Sequence, residues 1–324
     1  LQRIVTDAVK RVTGGEKMDR IGGGFLRRAA RSSRRWALGG AAAMALALGV
    51  AHHASAQSIE PSDLVPAPAG TNVVLGYYLF NHYNGDNVAS GPAGHTTTVS
   101  ASFNDNLFIE RYVHFFALGD TPAGFQLVSV NGFQNGTIDG ANVNTSGQVN
   151  SVFAVFAWPG ANTANKIYPF AGLYIYPPIN NFGSNGAGPW SGAVQLGINK
   201  GFGDNFSFDF DEYTTFFGET TGGGARTSTN PNFTLQIWAN WNWTPQIETS
   251  IGWQSHFGGD GTTVNTTTGT GSVFSGSQQE EIRGWVSYFF LPQAQVGIEV
   301  NHDFVDVNGA KNQIGILLRA LYIF

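Results

Sequence analysis

The last fourteen residues, 311–324 (KNQIGILLRALYIF), impose the strongest constraint on the fold. In steps of two from the end, one set is Phe324, Tyr322, Ala320, Leu318, Ile316 and Ile314. The other is Ile323, Leu321, Arg319, Leu317, Gly315 and Gln313. Side chains in a strand alternate faces, so these sets are the two faces of one strand. The first is apolar apart from a tyrosine hydroxyl and closes on aromatic rings. Such a face suits hydrocarbon bounded by a headgroup girdle, and the mixed face suits a wet interior. A C-terminal strand of a soluble sandwich has the same period, so the rest of the chain must decide.

Composition narrows the choice. Charged residues make up 12%, against about 25% in ordinary soluble domains. Glycine (43 residues) and aromatics (13%) are abundant, which fits short strands joined by small-residue turns. No apolar run approaches the roughly 20 residues of a spanning helix. With no cysteine, thiolate metal sites, disulfides and cysteine nucleophiles are excluded. Ten of the 17 Lys and Arg lie before residue 57, opposed there by Asp7, Glu16 and Asp19. The remaining body is strongly acidic and does not suit nucleic acid as a partner.

The basic N-terminus reads as an address. Residues 27–35 are rich in arginine, 36–50 are Ala/Leu-rich and uncharged, and Ala54-Ser55-Ala56 precedes Gln57. These are the three regions of a secretory signal peptide, with cleavage expected after Ala56. Residues 1–56 are assigned to it, with Met18 as the expected start. Ser33-Arg34-Arg35 reads as a plain basic region rather than a twin-arginine signal, because a barrel must insert from an unfolded state. His52 and His53 leave with the peptide.

Residues 57–71 form a proline-rich periplasmic lead, in which Pro61, Pro66 and Pro68 lack the donor that a strand ladder needs. Twelve alternating segments follow, near 72–83, 106–117, 123–133, 150–158, 165–176, 190–200, 205–217, 232–243, 246–257, 279–290, 293–304 and 312–324. Most match the 9–11 residues of a tilted membrane strand. In 206–211, Phe206, Phe208 and Phe210 oppose Ser207, Asp209 and Asp211. Trp241, Trp243, Tyr288, Phe290, Tyr322 and Phe324 stand at strand ends, as a girdle requires. The connections alternate long and short. The long ones are 84–105, 134–149, 177–189, 218–231, 258–278 and 305–311, and the short ones include 118–122, 201–204 and 244–245. Outer-membrane barrels sort their turns and loops in this way. The expected fold is therefore all-β: a transmembrane antiparallel β-barrel of about 12 strands over 72–324, in the bacterial outer membrane.

Two positions resist the pattern. Glu110 and Arg111 are adjacent, so one faces outward unless a bulge intervenes, and Glu212 shares parity with Phe206, Phe208 and Phe210. An outward charge at mid-membrane costs roughly 2–4 kcal/mol for a base and less for an acid. The expectation is a bulge, or a position near the outer rim. Segment 123–133 is the least regular of the set.

The lead and first strand, 62–72 (SDLVPAPAGTN) followed by 73–80 with Tyr77-Tyr78, resemble the opening of the phenol meta-pathway (MetA-type) outer-membrane family. Segment 174–178 (YIYPP) stands where that family usually has a Tyr-Pro-Thr-Gly turn; the Thr-Gly is absent here. The resemblance implies a channel-like barrel, placed beside pathways for aromatic or other hydrophobic compounds, and carries no catalytic residues. Closing strands of outer-membrane barrels also end on an aromatic residue, which implies that the insertion machinery reads Phe324.

Twelve strands lie between the eight that side chains can fill and the 16–18 of an open pore, so a narrow lumen is expected. Parity assigns to it Asp209, Asp211, Gln236, Trp238, Asn240, Glu248, Gln254, His256, Glu281, Arg283, Trp285, Glu299, Asn301 and Arg319. Acids outnumber bases there, which favours cations or neutral polar and aromatic solutes. Trp238 and Trp285 offer flat apolar surface to an aromatic solute. The function expected is passive passage of small aromatic or hydrophobic solutes by a monomeric or loosely associated barrel, with membrane lipid as its surroundings and no cofactor. Two alternatives stand. In a filled structural barrel, Arg283 and Arg319 pair with Glu281, Glu299 or Asp209. In a lipid-modifying enzyme, His256 works with Ser275 or Ser277.

Overall fold

The computed structural model describes residues 58–90, 96–138, 140–179, 189–222 and 224–324. The expected signal peptide lies outside them. In chain order the strands are β1 (Asn72–Ser90), β2 (Thr96–Leu118), β3 (Thr121–Ile138), β4 (Ala141–Ala157), β5 (Ile167–Tyr176), β6 (Ser191–Phe202), β7 (Phe206–Phe217), β8 (Thr220–Gly222), β9 (Ala225–Thr229), β10 (Asn232–Asn242), β11 (Ile247–Phe257), β12 (Gly261–Asn265), β13 (Gly271–Phe274), β14 (Gln278–Leu291), β15 (Ala294–Val307) and β16 (Asn312–Ile323). Twelve of them close an antiparallel barrel in the order β1-β16-β15-β14-β11-β10-β7-β6-β5-β4-β3-β2. The seam is β1 against β16, with Val73 opposite Ile323 and Tyr77 opposite Arg319. Reciprocal bonds between Asn72 and Phe324 (both 2.9 Å) finish it.

Each of the twelve segments expected from alternation is a barrel strand. Every one exposes a large apolar side chain: Val74, Phe108, Leu127, Phe153, Leu173, Leu196, Phe208, Phe233, Ile251, Ile282, Val296 and Leu318. A soluble protein does not present so continuous an apolar belt; lipid is the medium that covers it. At the short-turn end aromatic rings follow one another, Phe202 to Phe206 (5.9 Å), Phe206 to Trp241 (6.0 Å) and Trp241 to Trp243 (5.9 Å).

The long connections carry more order than their sequence suggests. Segments 84–105 and 134–149 are largely strand: β1 pairs with β2 as far as Ser90 opposite Thr96, and β3 pairs with β4 as far as Ile138 opposite Ala141. Loops 218–231 and 258–278 contribute a separate four-stranded sheet, β13-β12-β9-β8. A strand outside lipid needs no one-sided apolar face, so these Thr/Asn/Gly stretches gave no alternation to read. Segment 123–133 keeps register with β2 throughout and shifts against β4 at Val130/Asn131.

No bulge rescues Glu110. The β1–β2 register is unbroken, with Gly76 opposite Glu110 and Leu75 opposite Arg111. Arg111 turns inward to an ion pair, so its neighbour faces out. Glu110 stands four residues from the Asn72–His114 pair at the short-turn end, not at the outer rim. It lies beside Gly76 and Ser129, where little apolar bulk crowds it. Glu212 also faces out without a bulge, and its Oε1 accepts the Thr214 hydroxyl at 2.7 Å.

Candidate functional site: a barrel lumen closed by its own N-terminal lead

The fourteen residues assigned to the interior by parity lie on the inward faces of β7, β10, β11, β14, β15 and β16. Thirteen are buried, and Gln254 is half-buried. Several of them face protein rather than solvent because the lead enters the barrel. Its three prolines keep it from joining the sheet as a strand. It folds instead into two tight turns, Asp63 N to Glu60 O and Val65 N to Ser62 O (both 3.1 Å). It leaves along the end of β2, where Gly70 N bonds Phe115 O at 2.8 Å.

Lumen side chains take up the backbone groups that these turns leave over. Gln236 Oε1 accepts Ile59 N at 2.9 Å, Trp238 Nε1 donates to Ile59 O at 3.1 Å, and Asp209 Oδ2 accepts Ser62 N at 3.1 Å. The Ser62 hydroxyl donates to Glu248 Oε2 at 2.9 Å. Trp158 Nε1 donates to Leu64 O at 2.7 Å. Leu64 is buried in a cluster that includes Trp158, Phe156 and Phe170, whose rings meet at 5.4–5.6 Å.

Three arginines carry the charge of the site. Arg283 is held by Glu299 through Nε (2.9 Å) and Nη2 (2.8 Å), with Glu281 at 3.5 Å and Glu60 of the lead at 3.4 Å. Arg111 and Arg319 both reach Asp63 of the lead, at 2.9 Å and 3.4 Å. Burial beside Glu299 pushes the Glu60 carboxyl well above the usual carboxylate range. Arg283 stacks over Trp238 (4.6 Å) and Arg319 over Trp285 (4.4 Å), contacts worth most where water is excluded. Each indole lies flat because a glycine faces it: a Cβ on Gly252 would overlap the Trp238 ring, and one on Gly297 the Trp285 ring.

The remaining acids are met by amides. Asp209 accepts from Asn199 (2.7 Å) and Asn240 (2.6 Å), and Asp211 from Gln195 (2.9 Å). Asp303 accepts from Gln279 and from Asn312 N, both at 2.7 Å. Gln236 donates to Gln254 at 2.5 Å, and Asn301 donates to Glu299 at 3.1 Å. His256 Nδ1 lies 2.7 Å from the Thr234 hydroxyl. No group of three or more His, Asp or Glu among the described residues could hold a metal ion. Beside the lead a cavity of about 80 Å³ remains.

Sequence reasoning missed Arg111, Glu60, Asp63, Gln195 and Asn199. Arg111 shares parity with Ile109 and Val113, a signal obscured by the neighbouring Glu110. Glu60 and Asp63 lie where no period exists to read. The filled-barrel alternative pairs Arg319 with Glu281, Glu299 or Asp209, yet its carboxylate is Asp63.

A closed twelve-stranded ring with a lipid-facing belt and a polar lumen defines an outer-membrane-type transmembrane β-barrel. Among solved structures the chain is similar to the COG4313 outer membrane channel from Pseudomonas putida F1. The TM-score is 0.71 and the identity 20%, over 82% of this chain and 100% of that one. It is also similar to the transport unit of the autotransporter AIDA-I from Escherichia coli (TM-score 0.52, 11% identity, 87% and 97% covered). At these identities the likeness is one of fold. No family model matches, and no curated protein matches.

Proposed function

We propose that the chain is a bacterial outer-membrane channel of the MetA type, passing small aromatic or hydrophobic solutes down their gradient, and that residues 58–66 are its gate. The carrying observation is how the lead is held. It is fixed by side-chain bonds rather than by strand pairing, and cleavage after Ala56 would leave it tied covalently at one end only. Such a segment can leave while the barrel stays closed on itself. The cavity left beside it, about 80 Å³, is below the ~150 Å³ that holds a benzene ring, so passage requires displacement of the lead. Cleavage after Ala56 would make Gln57 the new N-terminus, and Phe324 would serve the insertion machinery. The fold of the COG4313 channel supports this reading, as does the resemblance of 62–80 to the MetA-type opening.

Packing of Leu64 against Trp158 favours a second reading, a permanently filled structural barrel. Conductance in a planar bilayer separates the two. The processed wild-type chain should conduct in rare, brief openings, and Asp63→Asn should raise the open fraction at least tenfold. A barrel silent in both forms would sink the channel reading.

A further inference from the structure

Asp63 does more than tether the lead. Its carboxylate sits between two guanidiniums from the β1/β2/β16 wall: Arg111 Nη1 donates to Oδ2 at 2.9 Å, and Arg319 Nη1 to Oδ1 at 3.4 Å. Among the described residues it is the one carboxylate in ion-pair distance of either arginine. The other contacts are neutral amides, Arg111 Nε to Gln126 Oε1 (2.8 Å) and Arg319 Nη2 to Gln295 Oε1 (2.6 Å). Arg319 Nε is buried without an acceptor among the described residues. Arg283 differs, since it keeps Glu299 and Glu281 when the lead departs.

Withdrawal of the lead therefore leaves Arg111 and Arg319 without a carboxylate in ion-pair distance, a loss that a bound anion would make good. Arginine forks select planar carboxylates. Arg111 also lines the 80 Å³ cavity together with Tyr77, Ile109, Val128 and Leu317, which supply apolar wall beside the guanidinium. We propose that Arg111 and Arg319 form a carboxylate-binding station of the lumen. Asp63 occupies it when the gate is shut, and organic monocarboxylates with a compact apolar body take its place when the gate opens. This rests on the gated-channel reading and narrows it from solutes at large to organic acids. It reverses, at this station, the preference for cations or neutral solutes that the acid count alone predicts.

The test uses the full processed chain carrying Asp63→Gly, which empties the station but keeps the rest of the lead. Sodium propionate, small enough for the cavity, is the first probe, with sodium chloride at equal ionic strength as control. The variant should unfold below wild type in detergent, and propionate, but not chloride, should restore the loss. Apparent propionate affinity should be at least tenfold tighter than in wild type, where Asp63 competes. Arg111→Gln or Arg319→Gln on that background should weaken it at least tenfold. If Asp63→Gly does not reach the compact form, Asp63→Asn carries the same comparison. Equal rescue by both salts, or rescue that survives loss of both arginines, overturns the station. Reversal potentials under a benzoate gradient complete the test. Currents favouring benzoate over sodium support the assignment. Conduction without that preference overturns the organic-acid assignment and leaves passage standing. Rescue without any conduction overturns passage and leaves a carboxylate site.

Discussion

The two walls of the lumen are built from different chemistry. From β1 to β5 the inward face is largely apolar and aromatic, with Leu75, Leu107, Val113, Val130, Phe156, Trp158 and Phe170 buried, and is interrupted by buried Asn81, Asp105, Gln126 and Gln134. From β7 to β15 it is polar, with Asp209, Asp211, Gln236, Asn240, Glu248, Glu281 and Glu299 buried. The lead has a matching side for each. Leu64 packs on the first wall, Ile59, Glu60 and Ser62 bond to the second, and Asp63 reaches the arginines of β2 and β16 between them. One wall holds the lead by excluding water, the other by satisfying its backbone. A gate so divided can be loosened on one side without losing its place on the other.

The largest expected effect is on the polar wall. Arg283→Leu leaves Glu60, Glu281 and Glu299 buried without their shared cation, and removing one partner of a buried ion pair costs about 3–5 kcal/mol. The urea midpoint of the variant in lipid vesicles should fall accordingly; an unchanged midpoint would show that this cluster does not depend on its arginine. Next comes the apolar wall. Leu64→Ala removes the side chain seated in the Trp158 cluster, a substitution worth about 2–5 kcal/mol in a core. Because the lost contact belongs to the lead, the effect should appear as protease access to residues 58–66 with the barrel intact. Cleavage no faster than in wild type would assign the grip to the polar wall alone.

The smallest effect is pH-dependent. The seated lead raises the Glu60 pKa, so the seated state favours the protonated acid. Seating from this group is fully present below the ordinary glutamate range and is lost as pH rises through the raised value. Spin-label mobility at residue 58 should therefore increase with pH over that window, and Glu60→Gln, uncharged throughout, should flatten the profile. A profile that persists in Glu60→Gln points to another carboxylate.

How far each wall could be read follows from this difference. On the polar wall most inward residues are Asp, Gln, Asn, Glu or Thr against outward apolar side chains, so a strand such as 232–243 declares both faces. On the apolar wall both faces are greasy. In 73–80 (VVLGYYLF), Val73 and Leu75 turn inward and Val74 outward, yet nothing in their chemistry tells them apart. For that reason none of the fourteen lumen positions read from sequence lies on β1 to β5. Arg111, the arginine of that wall, was masked by Glu110 beside it.

Alternation over about ten residues is a local property, set by the backbone and the two media the strand separates. The chain alone therefore determined the number of barrel strands, their membrane-facing sides, the aromatic end and the polar wall. Only the tertiary structure decided what fills the lumen. The bonds that seat the lead join residues 48 to 256 positions apart, and no periodicity encodes a contact of that separation. It exists because ring closure brings Arg111 and Arg319 to the two sides of β1, where two guanidiniums can close on one carboxylate.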